Sequence, residues 1–180
     1  MKLGKLLFFF LLLGNFHLLL AENYNYAGFA VTQKGGKKVY SDNHTEIWKN
    51  GKHIASKIVY KDANGKAFAE KEINFSKNPN LPDFKLEDSR DGYMEGAMLL
   101  PNNKIKLFYR ENQNSKAEER VMSIPKNSAI DGGFDFYLKN HWDDLLAGKS
   151  ICFNFFAPSK LNYYKFQIRM TKKGKYNGKD

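Results

Sequence analysis

Residues 37–75 read KKVYSDNHTEIWKNGKHIASKIVYKDANGKAFAEKEINF, and their reading decides the fold. Asn50-Gly51 separates two runs rich in apolar and aromatic residues. Asn-Gly readily supplies the two positive φ angles of a tight hairpin turn. Asp62-Ala63-Asn64-Gly65 offers the same turn chemistry a second time. Three antiparallel strands are therefore expected at about 37–48, 53–60 and 67–75.

Further along, residues 76–92 read as a long loop, because Pro79 and Pro82 exclude a central strand. Strands are expected at about 93–100 and 104–110, joined by Pro101-Asn102-Asn103. In the second, Ile105, Leu107 and Tyr109 alternate with Lys104, Lys106 and Arg110, the pattern of a strand with one wet face. Residues 111–119 read as a loop, and a short strand follows at about 119–124. One helix is expected at about 133–147, where Phe134, Tyr137, Leu138, Trp142, Leu145 and Leu146 form a single apolar stripe. Asp131 is its expected N-cap, Asp135 suits the positive first turn, and Gly148 ends it. Strands at about 150–156 and 161–170 complete the pattern. The fold class is mainly β (α+β). A curved antiparallel sheet or half-barrel carries one amphipathic helix, the curvature being inferred from the aromatic load.

Working toward the N-terminus, residues 22–35 read as a linker before a single domain at 36–170, and 171–180 as a basic tail. Lys2 and Lys5 precede an apolar run from Leu6 to Leu20, with Ala21 before a polar stretch. This is the pattern of a secretory signal peptide, residues 1–21. The alternative is an inner-membrane anchor through 6–20, but the run is short for a span and holds Asn15 and His17. The expected location is periplasmic or secreted, with no transmembrane span in the mature chain. No cysteine near the end of the run invites lipid attachment.

Without the two signal lysines the formal charge falls from +10 to +8. That charge favours an anionic envelope surface or protein partner, or reflects lysine-covered strands. Export argues against nucleic acid. Cys152 is the single cysteine, so no internal disulfide forms; it lies in an apolar run and is expected as a buried thiol. His44, His53 and His141 are the mature chain's histidines, and no His-Glu-x-x-His or Cys-x-x-Cys stretch occurs, which disfavours zinc. No Gly-x-Ser-x-Gly elbow, phosphate loop or dinucleotide fingerprint is present. No cofactor is expected.

Acids gather in one place, LEDSRDGYMEGA at 86–97. Arg90 occupies what would be a calcium-ligand position, which opposes a metal loop. An acid/base pair drawn from Asp88, Asp91 and Glu95 would suit glycoside hydrolysis if the groups converged. A structural turn is the stronger reading of the Asp and Gly content, and Asp131-Gly132-Gly133-Phe134-Asp135 repeats that chemistry. The two Asp/Gly segments are expected side by side, with Arg90 paired to Asp131 or Asp135.

DANGKAFAEKEINF, LPDFKLEDSRDGYMEGA and DGGFDFYLKNHWDDLLAGKSICFNFFAPSKLNYYKFQI follow one another in an order and spacing that resemble a family of functionally uncharacterised exported proteins of Gram-negative bacteria, over about residues 36–170. The resemblance implies a curved periplasmic half-barrel similar to lipoprotein-carrier folds, and no activity. It also implies a chain shortened after Met170, with an exposed sheet edge there.

Three functions are open. The first is non-enzymatic binding of an apolar or lipid-like ligand, lined by Trp142, Phe153, Phe155, Tyr164 and Phe166. The second is an envelope hydrolase using a polar cluster drawn from Asp88, Arg90, Asp91, Glu95, Asp131 and Asp135. The third is an interaction module for an anionic surface or a partner protein.

Overall fold

The structure is a computed structural model and describes residues 21–172 and Gly174. The expected signal peptide, apart from Ala21, and most of the basic tail lie outside the described residues. Eight strands run in sequence order through one antiparallel sheet: β1 (Ala21–Val31), β2 (Lys38–Lys49), β3 (Lys52–Asp62), β4 (Ala67–Asn74), β5 (Asp83–Asp88), β6 (Tyr93–Leu100), β7 (Lys104–Arg110) and β8 (Glu118–Ser123). The sheet is open, with β1 and β8 at its edges. A second sheet follows. β9 (Ser128–Ile130) leads through helices α1 (Gly133–Asn140) and α2 (Trp142–Leu146) into β10 (Ile151–Ala157), its parallel neighbour. A 3-10 turn (Pro158–Lys160) then brings β11 (Asn162–Ile168) back antiparallel. The expected mainly β fold, an antiparallel sheet with a helix packed on it, is present.

Register explains the burial. Residues directly opposite in an antiparallel pair share a face. Ile58, Ile73, Phe84, Ala97, Leu107 and Ile105 fall on one face of the large sheet, here called the inner face. They form the core with Ile130 and Phe156 of the small sheet. The outer face is wet. Lys57 pairs there with Glu70 at 3.2 Å, Lys85 with Glu87 at 2.8 Å and Lys106 with Glu119 at 3.1 Å.

Several expectations are corrected. Residues 22–35 are not a linker, since β1 pairs along its length with β2 across a turn at Gly35-Gly36. The expected loop 76–92 contains β5: Pro79 and Pro82 precede it, and Phe84 and Leu86 alternate with Lys85 and Glu87. Asn50 and Gly51 take the positive φ angles expected, 54° and 70°. The second turn differs. Only Gly65 is positive there, while the Asp62 side chain accepts from the backbone of Asn64 and Lys66 at 2.9 Å each.

The single helix at 133–147 is two, broken at His141 (φ −114°, ψ 14°). The His141 side chain takes the Tyr137 carbonyl at 2.8 Å, and its own N–H turns to Leu138 instead. That exchanges the next α-helical bond for a tighter one. Asp131 is not the N-cap: Gly132 is, without a side-chain cap, and the Asp131 carboxylate is drawn to Lys71. Cys152 is exposed rather than buried. It points away from the face that carries Phe153 and α1.

Candidate functional site

β2 carries Asp42, His44, Glu46 and Trp48 at alternate positions, so all four reach the inner face. Their partners are set by register: Tyr26 opposes His44, Ser56 opposes Glu46, and His53 opposes Trp48. His53 and Ser56 would lie on opposite faces of a regular strand. A bulge prevents this, because pairing steps from Ile47–Ala55 to Trp48–His53 and leaves Ile54 extra. Such an insertion re-aims the side chains beyond it. The Ile54 carbonyl accepts from the Phe75 N–H at 2.9 Å, which fixes the bulge against the next segment.

Glu46 is the hub. Its Oε1 accepts from the Tyr26 hydroxyl at 3.1 Å and lies 3.2 Å from His44 Nδ1. Its Oε2 lies 2.7 Å from His53 Nε2 and accepts from the Ser56 hydroxyl. His44 Nε2 in turn meets Asp42 at 2.9 Å. A Cβ on Gly28 would run into the Asp42 carboxylate, so that position needs a glycine for Asp42 to lie against β1. Burial alone would push Glu46 up, but the hydrogen bonds from Ser56, Tyr26 and His44 and the nearby His53 charge bring it below the usual glutamate value. Burial, then the Glu46 charge, pushes Tyr26 up to about 12.

Rings close around this hub. Tyr26 stacks on His44 at 4.3 Å and Trp48 on His53 at 5.1 Å, with Phe75 4.6 Å from His53 and 5.0 Å from Phe136 of α1. Between them lies an open groove of about 330 Å³, whose floor adds Ile58 and Ile73 and whose α1 rim carries Asp135 and Lys139.

The chemistry of the groove follows from its donors. His53 Nε2 also faces the Ala55 carbonyl at 3.0 Å, so this nitrogen holds a proton and donates. The Ser56 proton goes to Glu46. The Ser56 oxygen also lies 3.1 Å from His53 Nε2, so Ser56, Glu46 and His53 form one connected network. Among the described residues, no group of three or more His, Cys, Asp and Glu side chains is arranged to hold a metal ion. What the groove offers a visitor is ring faces and aliphatic floor above a closed hydrogen-bond network.

The residues expected at an apolar site lie elsewhere and do not converge on one cavity. Phe153 is buried between Phe134 and Tyr137 of α1. Phe155 and Phe166 pack beside it, with Phe166 half exposed. Tyr164 is exposed on β11, and Trp142 is exposed on α2 beside Leu138 and Lys139.

The polar candidates do not form one cluster, though Glu95 lies near Asp131 and Lys71. Arg90 does not pair with Asp131 or Asp135. Its Nε meets the two Asp88 oxygens at 3.0 and 3.1 Å, and its guanidinium lies 3.8 Å from the Phe68 ring centroid. The Arg90 hydrogen bond holds Asp88 below its usual value. Asp91 caps the turn, accepting from the Tyr93 N–H at 3.0 Å. Asp131 pairs with Lys71. Burial raises Glu95 despite a hydrogen bond from Tyr93, and the Asp131 charge adds to the rise. Asp135 alone reaches the groove.

Because Arg90 is exposed, Arg90→Ala is expected to cost no more than about 1 kcal/mol, the range of a surface pair. Asp88 should then titrate at higher pH by NMR. A larger loss in urea denaturation would mean that the pair organises more than its own turn.

Asp42, His44, Glu46 and Trp48 had a readable signal, four polar or aromatic residues alternating along one strand. His53 had none, since its face is decided by the bulge. No helix among the described residues is long and apolar enough to cross a membrane. Comparison with family models, with curated proteins and with solved structures finds no match to this chain.

Proposed function

We propose that the protein is an exported, non-enzymatic binding protein of the cell envelope, and that the groove between β1–β3 and α1 holds a small apolar ligand. The observation that carries this reading is the Glu46 hub. Four donors converge on one carboxylate, so the polar groups at the floor satisfy one another and leave aromatic faces for the ligand. Pockets of this kind bind through apolar walls and use few polar groups for orientation. Asp135 and Lys139 at the rim supply that orientation. Export is supported by the signal-peptide pattern of residues 1–21 and by the resemblance of the segments to exported envelope proteins. Binding is preferred to hydrolysis because Asp88 is held by Arg90, Asp91 by its own turn and Asp131 by Lys71, and of these segments' carboxylates Asp135 alone lines the groove.

The test is a titration with the neutral fluorescent probe phenylnaphthylamine. Saturable binding is expected, weakened about fivefold to tenfold by Trp48→Ala, the loss of one stacking wall at about 1 kcal/mol. Trp142→Ala should leave it unchanged. Binding insensitive to Trp48→Ala and to Phe136→Ala would remove the groove as the site.

A further inference from the structure

Among the described residues the large sheet has two free edges, and they differ. β8 has six residues and carries Glu118, Glu119 and Arg120. Charges along a short edge strand discourage pairing with another chain. β1 has eleven residues without lysine, arginine or proline, and Glu22 is its one charge. Its large side chains are open: Tyr24 is 54%, Tyr26 55% and Phe29 64% exposed. A long, aromatic, unguarded edge is a template for another strand.

We propose that β1 pairs antiparallel with β1 of a second copy, about a two-fold axis at Tyr26. Two features of the strand fit that occupant. Tyr26 is the middle residue of Glu22–Ala30, so this register pairs that whole stretch with itself. Glu22 then faces the partner's Ala30, and no like charges meet. Opposite residues share a face, so the inner faces of the two copies become continuous. Tyr26 borders the groove in each copy, and the two grooves meet across the axis. The pairing is independent of which ligand the groove holds.

Asn25 and Ala27 are exposed and stand opposite one another across this axis. Sedimentation equilibrium of the purified protein should give a dimer at micromolar concentration. N25K/A27K sets lysine against lysine twice and should raise the dimer Kd about tenfold or more. N25K/A27E sets lysine against glutamate twice and should restore it to within about threefold of the parent. Thermal melts of the two variants should agree, which excludes loss of folding as the cause. A monomeric parent, a dimer unmoved by the two lysines, or equal weakening in both variants would each overturn the proposal.

Discussion

Phe156→Ala is expected to lower the unfolding free energy by about 3–5 kcal/mol, the usual cost of emptying a fully buried phenylalanine site. Phe156 has no exposed surface and belongs to the core that includes Ile105 and Leu107 of the large sheet and Ile130 of the small one. Its ring stands edge-on to Tyr163 at 5.5 Å. It therefore joins the two sheets, and no neighbour can collapse into the space without moving a strand. Phe156→Leu should recover part of the loss. Urea denaturation reads both. A loss below about 1 kcal/mol for the alanine variant would mean that the sheets are held together elsewhere.

Glu46→Ala should follow, with a loss of about 2–3 kcal/mol. The substitution orphans donors from three strands at once: Tyr26 of β1, His44 of β2, and His53 and Ser56 of β3. Because the groove is open, water reaches some of them, and the loss stays below that of breaking a dry ion pair. The pH dependence has a definite sign. Glu46 titrates lower in the folded protein than its ordinary 4.5, so its contribution is complete above that value. It is lost as pH falls through the folded value, and Glu46→Ala should flatten stability over that acid limb. An unchanged acid limb would deny Glu46 its role as hub.

What was legible in the sequence was local. The Asn50-Gly51 turn and the alternation in β7 are decided by a few neighbouring residues, and both stand as expected. β1 was less visible because its strand signal depends on pairing with β2 beyond Gly35-Gly36. β5 was hidden by the prolines before it and by its own acids. The helix break turns on one side chain competing for one carbonyl, which periodicity does not register.

The acid-rich stretch at 86–97 drew attention because its carboxylates are close in sequence. In space Asp91 serves a turn, Asp88 binds an arginine, and Glu95 is buried near the lysine-paired Asp131. The groove instead assembles from residues 26, 44–58, 73–75 and 132–139, and it depends on register and one bulge.

The groove's role is tested most directly by two-dimensional amide NMR spectra recorded as phenylnaphthylamine is added. The account predicts that shifts concentrate at His44, Glu46, Trp48, His53 and Phe136, and that Trp48→Ala needs about fivefold to tenfold more probe to produce them. Shifts centred instead on Phe155, Tyr164 and Phe166 of the small sheet would contradict it.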